Sequence, residues 1–364
     1  MYKKTCVVLM AGVVSLGAGC QPEEPVHAPT PEVETQAAAL NTLGSWSASA
    51  SMTAPRANHA ATLVGTGRLL VMSGGTAEVY DPATNVWAPT GGSLLVDHVA
   101  FTATRLPSGQ VLVAGGTANG TDFPWQSSAQ LYEPATGTWS FTGSMTDYRA
   151  NHTATLLGSG KVLVVGGYTS PRSATGNAEL YDPATGTWSS AGSTYPSGEH
   201  TATLLDSDKV LVTGGYVSGY GTLRETRVYD PATNTWTFTG YLSTPRSGHL
   251  AVRLGSGKVL VLGGGSTSVE VFTPSTQLWS AGPALSLSGY PRSASLLSSG
   301  EVLVLNDSGQ GALYDPVKNV WRTATALQPA RSTFTTVQLP TGQVMVTGGY
   351  ANSTSLATVE RYTR

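Results

Sequence analysis

The stretch that decides the fold is residues 180–189, with the sequence LYDPATGTWS. Close copies of these ten residues begin at positions 79, 131, 228, 271 and 313. In the copy at 180, Asp182 can accept a backbone N–H, Pro183 presets φ for a turn, and Gly186 tolerates positive φ. The stretch therefore predicts a β-hairpin whose second strand begins near Trp188.

The hairpins recur at a nearly constant spacing along the chain. Tryptophans separated by 41, 52, 49, 48, 43 and 42 residues mark them: Trp46, Trp87, Trp139, Trp188, Trp236, Trp279 and Trp321. Each unit contains an alternating strand such as HTATLL (152–157), a GSGK turn, an apolar run such as VLVVGG, a variable loop and the hairpin. This period matches a four-stranded propeller blade, so we predict an all-β, seven-bladed propeller with strands A to D in each blade.

Composition agrees with many short strands joined by tight turns. The 364 residues include 43 glycines and 21 prolines, and only 12% are charged. The formal net charge of −2 gives no reason to expect nucleic-acid binding. A blade exposes two apolar faces, so neighbouring blades must stack, and the repeated tryptophans are expected to be part of the scaffold.

Glycine pairs end the apolar strand B in six of the seven units, at 74–75, 115–116, 166–167, 214–215, 263–264 and 348–349. In the sixth unit Asn306 and Asp307 take their place, and both residue types tolerate left-handed backbone better than most. We therefore expect a similar backbone at that position in a degenerate but present blade.

The order of Arg, hydrophobic strand, Gly-Gly, Tyr and Trp resembles kelch repeats over residues 44–364. The last unit ends at Arg364 before any tryptophan, whereas Trp46 precedes the first complete unit. We therefore predict that blade seven takes strands A to C from the C-terminal end and strand D from residues 44–50.

The first 20 residues contain Lys3 and Lys4, an apolar run and small residues before Cys20, as expected of a signal peptide. They resemble a bacterial lipoprotein leader, which implies acylation of Cys20. Such leaders usually have Leu three residues before the cysteine, where this chain has Gly17. Plain secretion without a lipid anchor is the alternative. Residues 21–43 are rich in Pro and Glu and are expected to form a disordered tether. We predict an exported outer-membrane or cell-surface lipoprotein, held at the membrane by its lipid anchor alone, and otherwise a periplasmic or secreted protein.

One face of the disc is predicted to bind ligands. The A–B and C–D turns are short, whereas the step from the second glycine, or its equivalent, to the hairpin aromatic is 5, 16, 14, 14, 8, 7 and 13 residues. Such one-sided variation is typical of a binding surface. We expect aromatic rings there to contact a glycan or a protein: Phe123, Trp125, Tyr148, Tyr168, Tyr216, Tyr220 and Tyr350. Packing of the loops by these rings is the alternative.

Two sets of polar residues recur at the start of strand A. By resemblance to kelch proteins that bind acidic peptides, four arginines would form an anion-binding mouth: Arg56, Arg149, Arg246 and Arg331. A structural role is the alternative. Four histidines share the other position, namely His59, His152, His200 and His249. Phe101 and Phe334 replace histidine in two blades, which favours packing and hydrogen bonding over a metal ring.

Enzymatic alternatives follow from the same resemblance. The galactose oxidase-like copper radical oxidases of this fold need a cysteine near the metal, and the propeller segment has none. A sialic acid mutarotase remains open, with an acid, a base and an anion anchor drawn from Glu199, His200, Arg224 and Glu225. We favour a monomeric, non-catalytic glycan- or protein-binding module that needs no metal and no cofactor.

Overall fold

The computed structural model describes residues 43–364, apart from residues 66, 93, 95–98 and 119–124. The predicted signal peptide, Cys20, nearly all of the tether, and Phe123 therefore lie outside the described residues. The described residues all belong to one compact unit. In that part of the chain, no helix has the length and apolarity needed to cross a membrane.

The strands form seven antiparallel four-stranded sheets, which we call blades 1 to 7. The first strand, β1 (Ser45–Ser49), belongs to blade 7. Blade 1 contains β2 (Ala60–Leu63), β3 (Leu69–Ser73), β4 (Thr76–Asp81) and β5 (Val86–Pro89). Blade 2 contains β6 (Thr102–Arg105), β7 (Val111–Ala114), β8 (Ala129–Glu133) and β9 (Thr138–Thr142). Blade 3 contains β10 (Thr153–Leu156), β11 (Val162–Val165), β14 (Asn177–Asp182) and β15 (Thr187–Ser193), with the hairpin β12 (Tyr168–Ser170) and β13 (Ser173–Ala174).

The remaining blades repeat this pattern. Blade 4 contains β16 (Thr201–Leu204), β17 (Val210–Thr213), β20 (Glu225–Asp230) and β21 (Thr235–Tyr241), with the hairpin β18 (Tyr216–Val217) and β19 (Gly221–Thr222). Blade 5 contains β22 (His249–Arg253), β23 (Val259–Gly263), β24 (Val269–Thr273) and β25 (Leu278–Gly282). Blade 6 contains β26 (Pro291–Leu296), β27 (Val302–Asn306), β28 (Gly311–Asp315) and β29 (Val320–Ala324). Blade 7 contains β30 (Thr335–Gln338), β31 (Val344–Thr347), β34 (Val359–Thr363) and β1, with the hairpin β32 (Tyr350–Ala351) and β33 (Thr354–Ser355).

The seven blades close into a ring. In every blade the strands pair in the order A, B, C, D. The A strands of successive blades contact one another around the whole circle, and β30 of blade 7 contacts β2 of blade 1. The predicted seven-bladed propeller is therefore confirmed.

The apolar core lies between adjacent blades. Strand B of blade 3, Val162–Val165, is buried at all four positions because a neighbouring blade covers each face. Val162 and Val164 pack with Leu112 and Ala114 of blade 2 in one such cluster. Because both faces of strand B are buried, the strand needs an apolar residue at every position, and its sequence is a continuous hydrophobic run.

The hairpin that recurs in the sequence connects strands C and D. Oδ1 of Asp182 accepts the Ala184 N–H at 2.9 Å, and Gly186 has a φ of 69°. The rings of Tyr181 and Trp188 lie 5.0 Å apart between centroids. The indole N–H of Trp188 donates to the carbonyl of Gly143 in blade 2 at 2.6 Å. Trp188 thus supports its own hairpin and also joins blade 3 to blade 2.

Blade 7 is closed by both ends of the propeller segment. Strand β1 pairs antiparallel with β34, with Trp46 opposite Tyr362 and their ring centroids 5.1 Å apart. The indole N–H of Trp46 donates to the carbonyl of Thr325 in blade 6 at 2.9 Å. The predicted closure by the N-terminal strand is confirmed.

The backbone of blade 6 differs from the expectation for Asn306 and Asp307, since neither residue has a positive φ. Oδ1 of Asn306 instead accepts the N–H groups of Ser308 and Gln310, at 2.9 Å and 2.8 Å. The asparagine side chain caps a tight turn, and Gly309, with a φ of 73°, takes the left-handed position.

Candidate functional site

The B–C loops and the D–A connections meet at one end of the blades, and we call this surface the variable-loop face. In blade 3, Tyr168 and Ala150 exchange backbone hydrogen bonds of 2.8 Å and 3.0 Å between a B–C loop and a D–A connection. The equivalent bridges join Gly198 to Tyr216 and Ser332 to Tyr350. The short hairpins of blades 3, 4 and 7 extend the B–C loops on this face.

The four arginines do not line an open mouth on this face. Their side chains are at most 4% exposed, and each is paired with a glutamate on strand C of its own blade. In blade 3, Arg149 lies 2.7 Å from Oε1 of Glu179 and donates to the carbonyls of Gly166 and Asn177. The structure therefore favours the structural role of Arg56, Arg149, Arg246 and Arg331 over an anion-binding mouth, because each guanidinium group is buried and paired with a carboxylate.

The glutamate partners also hold the D–A connection. Oε2 of Glu179 accepts the Thr146 N–H at 2.8 Å, and Oε2 of Glu270 accepts the Ser243 N–H at 2.7 Å. Burial lowers the pKa of the Arg246 guanidinium, while the Glu270 carboxylate opposes that shift. Each Arg–Glu pair thus anchors the incoming loop to the blade.

In blade 4 a tyrosine hydroxyl takes the place of the Arg–Glu pair. The equivalent positions of this blade carry Ser197 and Arg227, so neither the arginine nor the glutamate is present there. The hydroxyl of Tyr195 donates instead to the carbonyls of Gly214 and Glu225, the counterparts of those that Arg149 contacts. Burial and the Glu225 carboxylate raise the pKa of this hydroxyl well above its ordinary value.

The histidines join consecutive blades. Nε2 of His152 lies 3.0 Å from Oγ1 of Thr102, and Nε2 of His200 lies 3.0 Å from Oγ1 of Thr153. Both threonines belong to the preceding blade. Burial lowers the pKa of His200 to about 4 and that of His152 to about 3, so both rings are neutral at pH 7. Among the described residues, no group of three or more His, Cys, Asp or Glu side chains could hold a metal ion.

The predicted binding rings differ in their exposure. Those with large exposed fractions are Tyr148 at 57%, Tyr216 at 37%, Tyr220 at 89% and Tyr350 at 45%. Tyr168 and Trp125 are half-buried, and Trp125 bridges to Thr117 in the B–C loop of blade 2. These described rings all belong to B–C loops or D–A connections, so the variable-loop face carries several exposed aromatic side chains.

The described contacts do not link all four residues of the mutarotase alternative. His200 is buried, with Nδ1 3.2 Å from the Ser197 hydroxyl and Nε2 bound to Thr153, so its nitrogens are occupied. Arg224 lies over the Tyr241 ring, 4.6 Å from its centroid, and its backbone N–H donates to the Glu225 carboxylate. Glu199 is exposed and contacts Tyr168. The pKa of the Tyr168 hydroxyl is raised mainly by burial of the tyrosine and secondly by the Glu199 carboxylate. No described contact joins Glu199 to Arg224, which is exposed, or to Glu225, which is half-buried.

An open pocket of about 380 Å³ lies on the variable-loop face between the D–A connection that enters blade 3 and the B–C loop of that blade. It is lined by Thr146, Asp147, Tyr148, Thr169, Ser173, Ala174, Thr175 and Asn177. Such a combination of a few fixed polar groups with an exposed ring suits a small polar ligand. Sequence reasoning selected Tyr148 but missed Asp147 and Asn177.

The Asp147 carboxylate is held in place inside this pocket. Its Oδ2 accepts hydrogen bonds from Asn177 Nδ2 at 2.8 Å and Thr175 Oγ1 at 3.3 Å, and lies 3.7 Å from Arg149. The side chain remains 28% exposed. Within the described residues, Oδ1 of Asp147 makes no hydrogen bond to protein. It is therefore held in a fixed position and can accept hydrogen bonds from a ligand.

The family model described as the KLHDC2/KLHL20/DRC7 Kelch-repeats domain matches residues 98–308. The fold is similar to that of a "Novel fungal alcohol oxidase with catalytic diversity among the AA5 family, in complex with copper", with a TM-score of 0.70 and 16% identity over 88% of this chain and 76% of that one. It is also similar to the "Structure of YjhT", with a TM-score of 0.56 and 15% identity over 85% and 95% of the two chains. At these identities the likeness concerns the fold alone. A comparison with curated proteins found no match.

Proposed function

Because this chain belongs to the Kelch-repeat family, we propose that it is a non-catalytic module that binds a glycan or a protein through its variable-loop face. The observation that carries this proposal is the concentration of exposed aromatic rings and unequal loops on that one face. Tyr148, Tyr220 and Tyr350 are 57%, 89% and 45% exposed there. Aromatic rings supply large contact area and a specific stacking geometry, which suits both sugar and protein ligands.

The other face is built from turns that are short and nearly constant in sequence. Its C–D turns repeat one sequence, and their polar side chains are used locally, as when Oδ1 of Asp230 accepts the Ala232 N–H at 3.0 Å. A surface of nearly identical turns around a ring presents no single distinctive patch, whereas loops of different length do. The variable-loop face is therefore the proposed site.

The proposal also includes export. Cys20 is the proposed site of acylation, and the segment 21–43 would act as a tether between the membrane and the propeller. Metabolic labelling with a radioactive fatty acid tests this directly. Labelled full-length protein that loses its label on Cys20→Ser supports the anchor, and an unlabelled full-length protein refutes it.

Binding is tested with labelled residues 44–364 on a glycan array and on immobilised cell-surface protein extract. A binder should retain one ligand reproducibly and lose it on Trp125→Ala, with no chemical change in the ligand. A carbohydrate-active enzyme should instead convert its ligand, and that conversion should be lost on Glu199→Gln. Retention of no ligand from either source would contradict the proposed function.

A further inference from the structure

The D–A connection that enters blade 3 departs from the other connections that end in a buried arginine. The residue before the arginine is Pro55 in blade 1, Pro245 in blade 5 and Ala330 in blade 7, but it is Tyr148 in blade 3. The residue before that is Ala54, Thr244 or Pro329 in those blades and Asp147 in blade 3. The scaffold therefore does not require the Asp-Tyr pair, and its presence calls for another explanation.

Charge restricts what the blade 3 pocket can bind. Arg149 behind the pocket is fully buried and lies 2.7 Å from Glu179, so its charge is already matched. Asp147 is the one charged residue among the residues that line the pocket, and no lysine or arginine is present there. The cation nearest to Asp147 is Arg149, 3.7 Å from Oδ2, and it is buried and shared with Glu179. A carboxylate or phosphate on the ligand would therefore face the Asp147 carboxylate with no exposed cation in the pocket to offset the repulsion. The pocket therefore disfavours anionic ligands.

The remaining groups match a neutral sugar. A pyranose ring has an apolar C–H face, which can stack on an exposed aromatic ring, and hydroxyls around its edge, which need fixed acceptors and donors. Tyr148 is 57% exposed, and Oδ1 of Asp147 is an acceptor whose carboxylate is already oriented by Asn177 and Thr175. Ser173 and Thr169 also line this pocket and add polar side chains to it.

We propose that the pocket of blade 3 binds a neutral pyranose unit of a glycan, which stacks on Tyr148 and donates a hydroxyl hydrogen bond to Asp147. This inference rests on the proposed binding function and names the ligand class for one site on the variable-loop face. A volume of about 380 Å³ lies near the lower end of the range for small-molecule pockets, which agrees with one or two sugar units.

The test is saturation-transfer NMR on the full chain with methyl glycosides of glucose, galactose, mannose and N-acetylglucosamine, and with N-acetylneuraminic acid as the anionic probe. At least one neutral glycoside should bind and be preferred over N-acetylneuraminic acid. Tyr148→Ala should weaken that binding by at least about tenfold. Tyr148→Phe should leave it within about twofold, because the stacking ring remains. The matched control is Tyr290→Ala, since Tyr290 is 61% exposed in another D–A connection and does not line the pocket.

Asp147→Asn provides an independent measurement, because removal of the charge should weaken the neutral glycoside while reducing discrimination against N-acetylneuraminic acid. The proposal is overturned if no neutral glycoside binds, if binding is unchanged in Tyr148→Ala, or if N-acetylneuraminic acid is preferred. If the array ligand still binds Tyr148→Ala fully but is lost on Trp125→Ala, the pocket assignment fails and the broader binding function stands. If no ligand is retained by the wild-type chain, both fail.

Discussion

Nε2 of His249 lies 2.9 Å from the hydroxyl of Thr201, so a buried imidazole of blade 5 is bonded to the first strand residue of blade 4. The same hydroxyl lies 2.8 Å from that of Thr213, whose oxygen is also 2.9 Å from the His249 nitrogen. Equivalent bonds connect blades 7 and 1, 2 and 3, and 3 and 4. These histidines are therefore part of the ring that holds the blades together.

The buried histidines should make the propeller sensitive to acid. Burial lowers the pKa of His249 to about 3 and that of His59 to about 4, while an unfolded histidine titrates near 6.5. Between those values the unfolded chain binds protons that the folded chain does not, so the free energy of unfolding falls as pH falls from 6.5 towards 4. Each histidine should contribute a slope of up to about 1.4 kcal/mol per pH unit in that window.

His249→Phe isolates one of these contributions, since phenylalanine occupies the same repeat position in blades 2 and 7 and the two threonines can still bond each other. Urea unfolding at pH 7.5, 6.0 and 5.0 should show a histidine-dependent pH sensitivity about a quarter smaller than that of the wild type, because one of the four buried histidines is removed. An unchanged pH dependence would mean that His249 is not held neutral in the folded state.

The buried Arg–Glu pairs should matter for stability. The side chains of Arg246 and Glu270 are 0% and 5% exposed, so Arg246→Ala leaves a carboxylate without its cation in the interior. Loss of one partner of a buried pair costs about 3–5 kcal/mol in the free energy of unfolding. Arg253→Ala is the control: this arginine pairs with Asp206 at the surface, the two side chains are 41% and 70% exposed, and its loss should cost less than about 1 kcal/mol. Similar losses for the two variants in urea unfolding would refute the anchoring role.

The glycine pairs should be needed for space as well as for positive φ. Gly214 and Gly74 have nearly the same φ, 59° and 58°. A Cβ on Gly214 would lie 2.5 Å from the Arg246 carbonyl oxygen and 2.9 Å from the His249 ring, whereas a Cβ on Gly74 would meet nothing within 4 Å. Both alanine variants should lose about 1–2 kcal/mol from backbone strain. Gly214→Ala should lower the free energy of unfolding, measured by thermal unfolding, clearly more than Gly74→Ala does. Equal losses would show that close packing of blades 4 and 5 around Gly214 does not contribute to stability.

Closure of the ring should depend on the N-terminal strand. Trp46→Ala removes the contact with Tyr362 and the bond to Thr325, and should cost about 3 kcal/mol in the free energy of unfolding. Deletion of residues 1–42 should leave the melting temperature of the propeller unchanged, because all seven sheets begin after that point. A Trp46→Ala variant as stable as the wild type would contradict the closure described above.

The fold was predictable from the sequence because its determinants are local and repeated. Each of the six C–D hairpins carries its own turn residues and its own pair of aromatic rings, so the register of the repeats is visible in the chain itself. Asn306 and Asp307 were the exception. Their side-chain capping of a turn achieves the same change of direction without left-handed backbone, which residue type alone does not reveal.

The roles of the polar residues were harder to predict, because each depends on a partner in another strand or blade. The arginines could have been recognised as structural, since every blade with this arginine also has glutamate two residues before its hairpin aromatic. A similar rule applies to the histidines. A blade has histidine at this repeat position when the preceding blade has threonine one position further along its own repeat. Histidine is absent from the blades that follow Ala60, Leu250 and Ser293, which occupy that threonine position. Such agreement between neighbouring repeats indicates contact and could have favoured the structural role over an anion-binding mouth.

The most direct test of the account is hydroxyl-radical footprinting of the propeller with and without the ligand that the array identifies. The account predicts that bound ligand protects tyrosines of the variable-loop face, Tyr148 first among them. Leu278 and Val317, which are 66% and 93% exposed at C–D turns on the other face, should be labelled equally in both samples. Protection of Leu278 and Val317 with unchanged labelling of the tyrosines would place the ligand on the opposite face and contradict the account.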